Sequence, residues 1–228
     1  MNTISKPGYT LNVVTTRLTF EALQRAAAIP TPNLSDSMGK IQPACPMLKP
    51  MHTFGDTMVG RAVTVRVPPG DNLLVYKAIV AAEPGDVLVV DAGGVLEQAI
   101  VGEIMTTLAE SRGLAGMVIY GAIRDIDIVG ASGFPVYACG YTYRGPYRDG
   151  PGEMNVPIAL SAMVVNPGDL VVGDANGVMV VPFPDIEWVL SAAEQIKARE
   201  IDIVNQISTS RYDTSWIDST LRERGYSL

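Results

Sequence analysis

The chain has 228 residues, 47% of them apolar and 18% charged, with a net charge of −7 and a pI near 4.7. That length suits one substantial α/β domain or a domain with a tail, and the acidic balance opposes a nucleic-acid role, because phosphate binding needs a basic face. The low charged fraction and positive mean hydropathy point to apolar surface buried between subunits.

Cys45 and Cys139 fall in no metal-ligating or CxxC spacing and read as reduced thiols. Residues 1–9 contain no long apolar stretch of the secretory kind, and apolar runs such as Val87–Val90 are strand-length, far short of a membrane span. The expectation is a cytoplasmic protein.

In chain order, Thr19–Ile29 reads as a helix with Thr19 as N-cap and Pro30 closing it. Pro32–Lys40 has turn chemistry, and Ile41–Met58, broken by Pro43, Pro46 and Pro50, is irregular. Gly60–Val67 alternates at period two and is a strand. Asp71 can cap a helix running through Ala82. Val87–Asp91 is a buried strand, followed by Gly93–Gly94, a helix from about Glu103 to Arg112, and a second buried strand, Met117–Tyr120. Strand, helix, strand over this length is a right-handed βαβ unit. A short helix, Ile126–Ser132, and a strand, Val136–Gly140, follow.

Residues 140–152 form a loop rich in Tyr, Arg and Gly. Val156–Leu160, Ala162–Val165, Leu170–Gly173 and Val178–Val181 are short strands. The phrase Pro-Gly-Asp occurs at 84–86 and 167–169 as shared turn chemistry rather than an internal repeat. Asp185 starts a long helix reaching at least Ile207, and Trp216 lies in a tail that needs a partner surface. The simplest parse is one domain over 1–228, its core at 36–184 and a helical tail at 185–228.

Ligands in open α/β sheets bind beyond the carboxyl ends of strands. Two such ends, Asp91 with Gly93–Gly94 and the turn Gly121–Asp125, should face one crevice. If Gly102 caps the intervening helix, the amides of Glu103, Ile104 and Met105 lack helical partners and form an anion site. Arg124 adds a planar fork suited to a carboxylate. Asp125 is a hard oxygen ligand beside it, with Glu103 as a second carboxylate. Such ligands suit magnesium or manganese better than zinc. The bland alternative is a tight Gly-Gly turn and an ordinary surface Arg-Asp pair.

Taken together, Gly85–Asp91 with Gly93–Gly94, Gly102–Glu103, the run GMVIYGAIRDID at 116–127, NVPIAL at 155–160 and PGDLVVGDANGVMVVP at 167–182 resemble the class II pyruvate aldolases. These act on 4-hydroxy-4-methyl-2-oxoglutarate and 4-carboxy-4-hydroxy-2-oxoadipate. The likeness extends to the RraA-like superfamily, which includes the regulator of ribonuclease activity A, and spans about Asp36 to Ile207. It implies a swivelling β/β/α sandwich of the phosphohistidine-domain type with a C-terminal helical tail, assembled as homotrimers or homohexamers. It implies that Arg124 binds the pyruvyl group, that Asp125 holds the metal mostly through waters, and that Glu103 is the acidic residue after the family's glycine. A glutamate from a neighbouring subunit's C-terminal helix would complete the site; Glu200 is the closest match, with Glu194 nearby.

Retro-aldol cleavage leaves a pyruvate enolate, stabilised by a lysine Schiff base or by a metal. Lys77 sits on a helix before the crevice, which disfavours the Schiff-base route. A metal would polarise the 2-oxo group, a water assisted by Glu103 would take the 4-hydroxyl proton, and oxaloacetate decarboxylation would accompany the site. His52, the only histidine, lies in a proline-rich segment and reads as a surface or structural residue. Tyr141, Tyr143, Arg144, Tyr147 and Arg148 could bind the distal carboxylate of a diacid or form a plain surface loop. Two further readings remain: a non-catalytic regulator of a ribonuclease, and another 2-oxo acid lyase on the same scaffold. No GxGxxG follows a strand, so a dinucleotide or methyl-donor cofactor has no support.

Overall fold

The computed structural model describes residues 6–41, 44–53 and 55–228. The elements run β1 (Tyr9–Leu11), α1 (Phe20–Ala27), α2 (Thr31–Ser37), β2 (Lys49–Pro50), β3 (Met58–Arg66), α3 (Leu73–Ala81), β4 (Asp86–Asp91), β5 (Ala99–Val101), α4 (Glu103–Ser111), β6 (Gly116–Ile123), α5 (Ile126–Ala131), β7 (Val136–Tyr141), β8 (Gly152–Met154), β9 (Ile158–Leu160), β10 (Met163–Val165), β11 (Leu170–Asp174), β12 (Gly177–Val181), α6 (Ile186–Ser208) and α7 (Ser215–Glu223).

The strands β1-β8-β3-β4-β6-β7-β2 form the path of a 10-stranded mixed sheet, with β11 attached to β3 and β5 attached to β6. Its centre, β3-β4-β6-β7, is parallel. These strands are buried on both faces and read as near-continuous Val/Ile/Leu runs, as parallel strands do. One face packs against α3, α4 and α5 through Val75, Ile79, Met105, Ala109 and Val129. The other is covered by the β9–β10 hairpin through Ile158, Leu160, Met163 and Val165. A third apolar layer joins α1, α2 and α6 to β11 and β12.

The βαβ expectation is met by β4, α4 and β6, and α1 begins on the Thr19 cap, whose Oγ1 accepts from the Ala22 amide at 3.1 Å. Residues 32–40 differ from the expected turn. Thr31–Ser37 is helical, with Pro32 in its first turn, where no amide donor is needed. Asp174 reaches it from β11 to accept from the Thr31 amide and hydroxyl, both at 2.8 Å, so a distant carboxylate anchors a segment whose composition favours turns. In the expected irregular stretch, Lys49–Pro50 pairs with β7; residues 42, 43 and 54 of that stretch lie outside the described residues. Among the described residues no helix is long and apolar enough to cross a membrane.

Candidate active site at the carboxyl end of β6

The strand β5 builds the site. It pairs with β6 beyond the point where β4 stops, placing Ala99 opposite Ala122 and Val101 opposite Ile123. The Arg124 amide donates to Val101 O at 3.0 Å. The residue after β5, Gly102, is thereby pressed against the residues after β6. An added Cβ on Gly102 would overlap Asp125 Oδ2 and stand 2.8 Å from Arg124 Cγ. Gly102 has φ −155°, ordinary extended backbone, so what requires glycine is the close approach of Arg124 and Asp125.

Asp125 has φ 56° and ψ 42°, the left-handed region. A non-glycine residue there carries about 1 kcal/mol of strain. The reward is position: Asp125 Oδ2 accepts from the Glu103 amide at 3.0 Å, across the N-terminus of α4. The same oxygen lies 3.4 Å from Arg124 Nε, and both side chains are half-exposed. Carboxylate, guanidinium and helix dipole therefore meet at one point.

This geometry narrows the expected anion cradle of Glu103, Ile104 and Met105. The Glu103 amide is spoken for by Asp125, and the Met105 amide donates to Gly102 O at 3.1 Å. Among the described residues the Ile104 amide alone of the three has no protein partner, because the first turn tightens around Gly102. Gly93 and Gly94 also depart from expectation. They make a turn with φ 71° and 69°, the Gly94 amide bonded to Tyr120 O, and line neither cleft at Arg124. Glu103 is exposed in the first turn of α4.

Arg124 lies between two clefts. An outer one of about 580 Å³ is lined by Asp125, Asp127, Tyr141 and Tyr143. An inner one of about 120 Å³ is lined by Asn72, Tyr76, Gly102, Met105, Gly145 and Arg148. The 140–152 loop is thus divided. Tyr141 and Tyr143 face the outer cleft and Arg148 the inner one, while Tyr147 is tied down by its hydroxyl bond to Pro69 O at 2.9 Å. The Arg144 carbonyl accepts from the Ala99 amide at 2.9 Å, fixing the loop against β5.

Asn72 was not singled out from the sequence. It stands beside Asp71 at the start of α3, where polar residues usually serve as caps, and only the return of the 144–149 loop onto 70–72 places it in the cleft.

Glu200 sits on α6, where Asn33 Nδ2 donates to it at 2.7 Å, and Glu194 is paired with Arg25 at 2.8 Å. Neither lines the Arg124 clefts of its own chain. Among the described residues no lysine lines these clefts either; Lys77 lies on α3 and lines other grooves. His52 is buried, accepts from the Val136 amide at 3.1 Å and meets Tyr137 edge-on at 5.2 Å, a structural placement. Among the described residues no three His, Cys, Asp or Glu side chains cluster as a closed metal site. Asp125 Oδ1 carries no hydrogen bond from a described residue. A half-exposed carboxylate with one open oxygen fits a hydrated hard cation better than a dehydrated one.

The chain is similar to proteins of one family. A protein of Halalkalibacterium halodurans with the provisional name 4-hydroxy-4-methyl-2-oxoglutarate aldolase is 42% identical over 170 residues, covering 75% of this chain and 80% of the relative. A Pseudomonas fluorescens protein of the same provisional name is 34% identical, covering 68% of this chain and 94% of its own. The crystal structure of an uncharacterised Pseudomonas syringae protein has a TM-score of 0.76 at 28% identity, covering 85% of this chain and 95% of that one. The RNA-processing inhibitor RraA of Thermus thermophilis has a TM-score of 0.61 at 31% identity, over 67% of this chain and 92% of that one. The family model for aldolase/RraA proteins matches residues 31–180, and the chain belongs to this RraA-like family.

Proposed function

We propose that the protein is a divalent-metal-dependent lyase that cleaves a 4-hydroxy-2-oxo diacid, such as 4-hydroxy-4-methyl-2-oxoglutarate or 4-carboxy-4-hydroxy-2-oxoadipate, to pyruvate and a second oxo acid. The observation that carries this reading is the interlock of Arg124, Asp125 and the α4 N-terminus around Gly102. The names of the relatives agree with it.

Arg124 and the Ile104 amide would bind the pyruvyl carboxylate and 2-oxo oxygen, the guanidinium as a fork and the amide as a preorganised donor. In the cleavage the 4-hydroxyl loses its proton, the C3–C4 bond breaks, and the electron pair moves onto the 2-oxo group. The positive charge of Arg124 favours that movement. Glu103 would receive the hydroxyl proton through a water and return one to C3. Asp125 would hold magnesium or manganese, which would supply positive charge to offset that of the enolate. Loss of carbon dioxide from oxaloacetate yields the same enolate, so decarboxylation is expected at this site. The family's assemblies make a homotrimer or homohexamer the proposed state. A glutamate of α6, Glu200 first, would then enter a neighbouring site; this fits the exposed distal half of α6, where no residue is buried beyond Ala193.

The test measures pyruvate, coupled to lactate dehydrogenase, from 4-hydroxy-4-methyl-2-oxoglutarate and from oxaloacetate, with magnesium, with manganese and then with chelator. Metal-dependent pyruvate supports the reading, and no pyruvate under either metal ends it. The likeness to an RNA-processing inhibitor supports a second reading, a regulator that binds a ribonuclease. That reading predicts no turnover in the same assay.

A further inference from the structure

The inner cleft holds a buried group that is incompletely bonded. Asn72 is 1% exposed, and its Oδ1 has no hydrogen-bond partner among the described residues. Its orientation is not free. Nδ2 donates to Ile100 O at 2.9 Å and to Met105 Sδ at 3.2 Å. Turning the amide over would set carbonyl against carbonyl, so Oδ1 is fixed as an acceptor. A buried acceptor without a donor costs about 1–3 kcal/mol, and such groups in native sites call for an explanation.

The wall opposite is built on purpose. The Asn72 amide donates to Tyr147 O at 3.1 Å and the Tyr147 amide to Gly70 O at 2.9 Å. Buried Asp71 accepts from the Asp149 amide at 2.8 Å. These bonds clamp residues 145–149 over the cleft. At one end Gly145 abuts Arg124; an added Cβ would stand 2.9 Å from its Nη1. At the other, the Arg148 guanidinium lies over the Tyr76 ring at 5.1 Å. Arg124, Arg148 and Asn72, with its fixed buried acceptor, thus line one small cleft.

We infer that this inner cleft is the subsite for the far half of the ligand: Arg148 binds a distal carboxylate, and Asn72 Oδ1 accepts the hydrogen bond of the hydroxyl on the carbon next to it in the bound ground state, a bond given up when that proton passes to the water at Glu103. The inference rests on the aldolase reading for its ligand class and deepens it. It selects hydroxylated dicarboxylates over monoacids, and it assigns the distal carboxylate to Arg148 rather than to Tyr141 or Tyr143, which face the outer cleft.

The test uses three compounds that cannot undergo retro-aldol cleavage because they lack the 2-oxo group: 2,4-dihydroxyglutarate, 2-hydroxyglutarate and 2-hydroxybutyrate. Calorimetric titration of the full-length protein with magnesium should give affinities falling in that order. The distal carboxylate is expected to contribute about tenfold or more and the 4-hydroxyl roughly fivefold, as charged and neutral hydrogen bonds do. Arg148→Met should erase the step between the last two compounds only, and Asn72→Ser the step between the first two only. Equal binding of all three by the unaltered protein overturns the inference, and so does an Arg148→Met variant that keeps the carboxylate step. Arg148 is exposed, so that variant remains decisive if Asn72→Ser does not fold. Pyruvate release without this discrimination would sink the subsite alone. Discrimination without pyruvate release from 4-hydroxy-4-methyl-2-oxoglutarate would sink the aldolase reading alone.

Discussion

Gly102 and Asp125 lie so close that no side chain fits between them: a methyl group on Gly102 would overlap the carboxylate oxygen that caps the Glu103 amide. Because the Gly102 backbone is extended, alanine carries no dihedral strain there, and Gly102→Ala acts only by displacing Arg124 and Asp125. A displacement of about 1 Å can cost roughly a hundredfold in rate. Gly102→Ala is therefore expected to lower kcat/KM for pyruvate release by about that factor while the melting temperature stays within a few degrees. Full activity in this variant would show that the contact does not position the site.

Asp125 combines charge with a left-handed backbone, and two substitutions separate them. Asparagine tolerates the left-handed region and can still accept from the Glu103 amide, so Asp125→Asn should melt like the parent yet lose metal-dependent activity. Asp125→Ala loses the tolerance of the left-handed region that Asp and Asn share and removes the cap, and should melt roughly 2–4 °C or more lower. Thermal denaturation and pyruvate release measured on both variants check this. Equal activity in Asp125→Asn would remove the charge from the mechanism.

The site was legible in part. The apolar runs of β4 and β6 and the helical period of α4 are strong local signals, so the meeting of Gly102 with Arg124–Asp125 follows from sequence once a βαβ unit is recognised. What was hidden depends on distant pairing. The strand β5 has three residues and exists because β6 outruns β4. The strands β1 and β8 are equally short and hold each other through Tyr9 opposite Gly152. Thr31–Ser37 is a helix because Asp174 anchors its start. Asn72 enters the cleft because Asp71 draws the 149 region back over it. None of these partners lies within a local window, where propensity and period operate.

Arg61 and Asp86 form a bidentate pair with both Nε–Oδ1 and Nη2–Oδ2 at 2.9 Å, buried where β3 and β4 begin. Arg61 also donates to Thr16 O at 2.9 Å, tying the N-terminal segment to the sheet. Removing one member leaves a buried charge, which costs about 3–5 kcal/mol. Arg61→Met should lower the melting temperature by roughly 10 °C. The pair sits at the opposite strand ends from Arg124, so kcat of the folded variant should be unchanged. Replacing both as Arg61→Met with Asp86→Leu should recover part of the loss, since the uncompensated charge disappears; a double variant no more stable than the single would contradict this.

Glu153 links β8 to β1. Its carboxylate is held below the usual carboxylate range by hydrogen bonding to the Arg66 guanidinium, with help from the Gly8 amide and the Thr10 hydroxyl. A depressed carboxyl group lends stability above its unfolded value of about 4.5, and that stability is lost as pH falls through the lower folded value. The N-terminal strand should therefore loosen first in acid. Amide hydrogen exchange at Thr10 and Leu11 is expected to accelerate below about pH 4.5 beyond its intrinsic pH dependence, and Glu153→Gln should remove that extra acceleration. Protection in β1 that follows the rest of the sheet down to low pH would contradict this.

Cys139, half-buried beyond the buried first half of β7, has its thiol pushed up to about 11 by burial, with neighbouring Cys45 adding to the shift. The thiolate is the reactive form, so near pH 8 only about one Cys139 in a thousand is ionised. Cys45 is itself buried. Native protein should thus react slowly with a thiol-specific electrophile at pH 8, and both thiols should react promptly once the chain is unfolded. Prompt modification of Cys139 in the native state would mean that β7 opens near Tyr141, where the outer cleft begins. Labelling followed residue by residue distinguishes such opening from global unfolding, because global unfolding exposes Cys45 at the same rate.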